Sequence, residues 1–202
     1  MKKLILIVLS FAILSILGYM GIKMLPFTND AKKDAIKAES FKLDNKIQNG
    51  DIIFQTSTSS QSKAIQLATN SKYTHMGIIY ENSGAYFVYE AIQPVKLTPL
   101  AKWIQRGEKK HYVIKRIKNA ENILTDSVIN QMKVYGETFK GKSYDIYFEW
   151  SDDKIYCSEL VWKIYKQAAQ IEIGKLERLS DFDLSNEIVQ GKMKERSEII
   201  FR

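Results

Sequence analysis

From Asn49 onward, short apolar runs alternate with polar punctuation. Asn49-Gly50-Asp51 is a turn signal, and Ile52-Ile53-Phe54 after it predicts a strand. Ser59–Thr69 places apolar residues at 64, 65, 67 and 68, which predicts a short helix opened by Ser59 or Ser60 as cap. His75–Tyr80 and Ala85–Ala91 predict two strands joined by a hairpin at Asn82-Ser83-Gly84. Thr98–Gln105 predicts a helix with Pro99 in its first turn, and His111–Ile117 alternates as a third long strand. Thr125–Phe139 predicts a helix stopped by Gly141. Tyr156–Ala169, apolar at 160, 161, 164, 165 and 168, predicts a strongly amphipathic helix, and a last short helix is expected near 186–195. Together these elements predict one α+β domain over residues 47–202.

The N-terminus follows a different pattern. Lys2 and Lys3 precede an uncharged apolar stretch from Leu4 to Ile22. As a helix its 19 residues rise about 28 Å at about 1.5 Å each, close to the hydrocarbon thickness of a bilayer. The stretch is longer than an ordinary signal-peptide core, and no Ala-x-Ala site follows it. Residues 1–27 are therefore expected to be an uncleaved signal anchor. The paired lysines orient it with the remainder outside the cytoplasm, so the domain is expected to be extracytoplasmic and membrane-anchored, or secreted if the segment is cleaved. Residues 28–46 are polar and charge-rich and read as a tether.

Composition narrows the function classes. The chain of 202 residues carries a net charge of +7, but residues 1–27 hold three lysines and no acid. The remainder has 27 basic and 23 acidic residues and no Lys/Arg cluster longer than a pair, so nucleic-acid binding is not indicated. One cysteine excludes an internal disulfide framework, and one cysteine with two histidines is a poor zinc ligand set.

The candidate chemistry is one thiol, one imidazole and one carboxylate. Cys157 opens a helix, where the dipole and free N–H groups favour a thiolate and can hold an oxyanion. A thiol nucleophile needs a base, and the base needs an orienting partner. His75 starts a strand, and Glu90 lies across the hairpin. If Asn82-Ser83 is the centre of the turn, His75 and Glu90 face each other as direct cross-strand neighbours. Glu90 is the odd residue in the apolar run FVYEAI, because a buried carboxylate needs a partner. The bland alternatives are a packed core cysteine and a structural histidine. His111 follows RGEKK and reads as a surface residue.

The motif YCSELVWKIY (156–165), with Tyr144 thirteen residues before the cysteine, resembles the nucleophile motif of NlpC-type papain-like cysteine hydrolases. Here the histidine precedes the cysteine. That order, with NGDIIFQ (49–55), SSQSKAIQLAT (59–69), YTHMGI (73–78), VYEA (88–91) and SYD (143–145), resembles the YiiX-like permuted papain-like amidases. The resemblance runs from about Asn49 to Ala169 and weakly through 180–190. It implies a circularly permuted papain-like α+β fold, with an antiparallel sheet or barrel packed on the helix carrying the nucleophile. It also implies Cys157 as nucleophile, His75 as base, Glu90 as orienting residue and Tyr144 beside the oxyanion, with no metal or organic cofactor. Tyr144 also reads as a core aromatic, and Glu159 as a structural complement to the helix dipole. Expected substrates are peptidoglycan stem peptides or related amides. The alternatives are lipid amides or esters, as for lecithin:retinol acyltransferase-like proteins, or a non-catalytic wall-binding module.

Overall fold

Apolar residues at consecutive rather than alternate positions of a strand imply that both faces of its sheet are covered. The computed structural model, which describes residues 47–200, has that arrangement. Five antiparallel strands form one open sheet in the order β4-β3-β2-β1-β5: β1 (Ile52–Ser57), β2 (His75–Asn82), β3 (Ala85–Glu90), β4 (Lys96–Pro99) and β5 (Gly107–Lys115). Between them run α1 (Ser62–Thr69) and α2 (Leu100–Gln105). After β5 come α3 (Ala120–Ile123), α4 (Asp126–Glu137), a two-rung parallel ladder of β6 (Ser143–Tyr144) and β7 (Lys154–Ile155), α5 (Cys157–Ala169) and α6 (Glu187–Ile200).

Alternate residues feed two cores. Ile52, Ile78, Tyr80 and Tyr89 pack on one face against Ile129 and Met132 of α4 and Leu160, Val161, Ile164 and Tyr165 of α5. Ile53, Ile79 and Val88 pack on the other face against Leu100, Trp103 and Ile104 of α2. The helix carrying Cys157 thus lies on one side of the sheet and the short α2 on the other.

The α+β class, the hairpin and the helix at Cys157 agree with the sequence reading, and several boundaries move. The helix expected from Ser59 begins at Ser62 with Gln61 as its cap residue, and no side chain closes it. Ser59 instead accepts from Ser62 N–H in the preceding turn. Thr98 and Pro99 belong to β4 rather than to the helix after them, because they pair with Val88 and Phe87. The third long strand starts at Gly107, four residues early, and the last helix runs to Ile200. Thr125 caps α4 as expected, accepting from Val128 N–H. The anchor and tether expected over residues 1–46 lie outside the described residues. Among the described residues, no helix is long and apolar enough to cross a membrane.

The hairpin register is the correction that matters. Ser83 and Gly84 both have positive φ, +53° and +80°, the signature of a type I′ turn centred on them rather than on Asn82-Ser83. The ladder therefore pairs Ile78 with Tyr89 and Asn82 with Ala85. His75 and Glu90 are not directly opposed. The slip is two residues, an even number, so both side chains stay on the same face. They meet diagonally across Gly77. A Cβ at Gly77 would stand 2.5 Å from Val88 Cγ1 and 2.7 Å from the Tyr89 carbonyl oxygen. The backbone contact cannot yield without moving the strand. Gly77→Ala is expected to cost about 1–3 kcal/mol, the range for overpacking a filled site, read as a fall in thermal midpoint by circular dichroism.

Candidate active site

Glu90 is fully buried at the end of β3. Four hydrogen bonds reach its two oxygens. His75 Nε2 donates to Oε2 at 2.6 Å, and Thr98 Oγ1 donates to Oε1 at 2.5 Å. Arg106 Nη2 bridges both oxygens at 2.6 and 2.7 Å. Burial alone would raise the carboxyl pKa, but the His75 hydrogen bond and charge, Arg106 and Thr98 together bring it below its ordinary value. Glu90 is therefore a buried anion held between two cations.

With Nε2 committed to Glu90, the other ring nitrogen of His75 is left for Cys157, and a hydrogen bond between the two side chains shifts both pKa values. Trp103 of α2, itself fully buried, stacks on the imidazole with ring centroids 5.8 Å apart and planes 25° apart. The ring is fixed in orientation by its two partners and in tilt by this stack. Burial pulls the His75 pKa down, but hydrogen bonds and charges from Cys157 and Glu90 more than offset it and carry it to about 9. Burial likewise pushes the Cys157 thiol up. Against that act the His75 hydrogen bond and charge and the backbone N–H groups of Met76 and Ser158, and the net direction is down. Both directions describe one pair, in which the imidazolium favours the thiolate and the thiolate the imidazolium.

Tyr144 reaches this pair because of the short parallel ladder. It pairs with Ile155, two residues before Cys157, so the loop between β6 and β7 returns the chain beside its own start. Asp145 builds that loop: its buried carboxylate accepts from Tyr147 N–H at 2.8 Å and Glu149 N–H at 2.6 Å. Gln93 accepts from Tyr144 N–H at 2.7 Å. The Tyr144 side chain is hydrogen-bonded to Cys157, and burial followed by the Cys157 charge holds its pKa well above the ordinary value. It remains a protonated donor beside the thiol.

All four residues singled out in the sequence, Cys157, His75, Glu90 and Tyr144, converge. Glu159 serves the helix, accepting from Tyr156 N–H at 3.3 Å and pairing with Lys163 at 2.7 Å. Thr74 ties β2 to its surroundings, accepting from Ser57 N–H and meeting Ser62 Oγ, each at 2.8 Å. His111 is exposed and stacks on Tyr73. Sequence reasoning missed Arg106, Thr98, Trp103 and Gln61. Only the first had a signal: a carboxylate inside an apolar strand demands a cation, but nothing local says which.

A thiolate beside an imidazolium oriented by a buried carboxylate, at a helix start rich in N–H donors, is equipped for acyl transfer. Residues 46–200 match the family model described as "permuted papain-like amidase enzyme, YaeF/YiiX, C92 family". The chain belongs to the permuted papain-like amidases. It is 47% identical over 149 residues to the uncharacterized protein YiiX of Escherichia coli K12, covering 74% of this chain and 72% of that one. The crystal structure of YiiX from Escherichia coli O157:H7 superposes with a TM-score of 0.70 at 48% identity, covering 74% of this chain and 81% of that one. Membership makes this amidase a thiol-dependent hydrolase. The O157:H7 YiiX is described as a metalloprotein. In this amidase, no group of three or more His, Cys, Asp or Glu side chains among the described residues is arranged to hold a metal ion, and both Glu90 oxygens are committed elsewhere. The residues present do not fit a metal, and no step is routed through one.

Replacing Glu90 by Gln removes the charge that helps raise the His75 pKa. The His75 titration midpoint is expected to fall below about 9, followed by NMR of the imidazole signals with His111→Gln resolving the assignment. The sign follows from the interaction: a lost anion destabilises the imidazolium.

Proposed function

We propose that this chain is a membrane-anchored, extracytoplasmic cysteine amidase acting on cell-wall peptides. The Cys157 thiolate attacks the carbonyl carbon of the scissile amide and forms a C–S bond. The resulting oxyanion is met by the Tyr144 hydroxyl and the N–H groups at the start of α5. The His75 imidazolium gives its proton to the leaving nitrogen, the C–N bond breaks, and a thioester remains. Neutral His75 then takes a proton from water, whose oxygen attacks the thioester, releasing the carboxylic acid and restoring the thiolate. The observation that carries this reading is the unbroken line Glu90–His75–Cys157, with sulfur also bonded by Tyr144 and two backbone N–H groups. A non-catalytic wall-binding module gives no reason to keep a thiol at lowered pKa in that line.

One further observation supports a peptide rather than a lipid. The aromatic loop beside the site is topped by cations: Lys154 over Tyr147, Arg196 over Phe148 and Lys163 over Trp150. An acyl-chain groove needs bare apolar walls, whereas these rings present charge.

Cys157→Ala is expected to fold normally and to lose at least about a thousandfold in amide cleavage of stem peptides, the scale of losing a nucleophile. The wild type should show an acyl adduct on Cys157 by intact mass. Cleavage of N-acyl lipids with stem peptides untouched would replace the peptide reading by the lipid one. The pH profile of kcat/KM is expected to be bell-shaped. Activity rises as Cys157 loses its proton below its ordinary range and falls near about 9, where the imidazolium is lost.

A further inference from the structure

The C-terminal helix α6 packs on α1 and delivers Arg196 to the site from the far end of the chain. Its Nη2 donates to Gln61 Oε1 at 2.8 Å, and Gln61 Nε2 reaches the Tyr144 hydroxyl at 3.4 Å. Its guanidinium carbon lies 4.7 Å from the Phe148 ring centroid. One side chain, Gln61, therefore separates Arg196 from the tyrosine that bonds the thiol. The guanidinium is half-buried, and burial lowers its pKa.

Glu195 and Asp145 act on its charge at longer range, but it forms no direct ion pair of the kind that other buried or half-buried cations of the domain form. Arg106 sits on Glu90, Lys163 on Asp152 and Glu159, and Arg116 on Asp51. Among the described residues, Arg196 has no carboxylate within ion-pair distance, and its one hydrogen-bond partner is a neutral amide. A guanidinium has five N–H donors, so most of its fork is open. Partial desolvation without a directly paired carboxylate is costly, and the fork geometry matches a carboxylate with two parallel hydrogen bonds. Its position over the Phe148 ring gives the guanidinium a cation–π contact.

We propose that Arg196 is the seat for a carboxylate on the substrate, and that this amidase selects peptide amides carrying a free carboxylate near the scissile bond. This rests on the amidase reading above and names the substrate class for the same site. The anion supplied by the substrate completes the ion pair that the protein leaves open. Arg196 is a specificity-determining residue here; it neither attacks nor transfers a proton.

The test uses two electrophiles that differ only in charge, N-iodoacetyl-glycine and N-iodoacetyl-glycinamide. Each alkylates sulfur with loss of iodide. Cys157 is the only thiol in the chain, so the mass gain of the full-length protein reports one site. The ratio of the two rate constants is expected to exceed that of free cysteine by about tenfold, the order of one charge-assisted hydrogen bond, and to fall to the free-cysteine ratio in Arg196→Gln. Because the neutral reagent is an internal reference, a general loss of reactivity or order cancels. A ratio that is the same in wild type and Arg196→Gln overturns the carboxylate seat and leaves the amidase reading standing. Slow reaction with both reagents, unaffected by His75→Ala, overturns the amidase reading and the seat with it.

Discussion

A carboxylate with no exposure must be balanced where it stands, and the balance around Glu90 organises the site. An unpaired ion there would cost several kcal/mol, so its partners are held as firmly as any core side chain. β3 supplies the carboxylate, β4 supplies Thr98, the turn after α2 supplies Arg106 and β2 supplies His75. Four consecutive pieces of chain are locked on one anion. The imidazole that results has one nitrogen committed to Glu90 and one left for Cys157, with its face stacked on Trp103. Arg106, whose side chain is 41% exposed, keeps Glu90 charged while letting His75 take the stronger share of its field on the buried side.

The thiol arrives on the opposite layer. Cys157 sits at the start of a helix packed on the other face of the sheet, and the pair meets around the N-terminal end of β2. This is why Met76 contributes a backbone N–H to sulfur while its neighbour contributes the ring. Histidine before cysteine along the chain makes no difference to this geometry, because the strand and the helix are brought together by core packing rather than by their connection. A permuted order therefore keeps the same chemistry.

How far the sequence foretold this depends on the range of the signal. The helix at Cys157 was legible because thirteen residues carry one apolar stripe, and the thiol at its start followed from the boundary alone. The His75–Glu90 pairing was legible although the register was two residues out, because parity rather than register decides the face. The error came from the turn: Gly84 takes the second positive-φ position of the hairpin, which puts Ser83 and not Asn82 in the first. β4 was illegible because Lys96–Pro99 is too short to show a period, and its Thr98 gains meaning only beside Glu90. Gln61 and Arg196 are separated by more than a hundred residues and meet only because α6 folds back on α1. No local pattern marks such a contact.

The central claim is that Cys157 and His75 stabilise each other as a thiolate–imidazolium pair, which lowers the thiol pKa. The most direct measurement is the thiolate absorbance near 240 nm as a function of pH, taken as the difference between the full-length wild type and Cys157→Ser, with His75→Ala alongside. The account predicts a thiolate that forms well below the reference thiol pKa of about 8.5 and moves up toward it when His75 is removed. A thiol that titrates at or above that reference in the wild type, indifferent to His75, would contradict it.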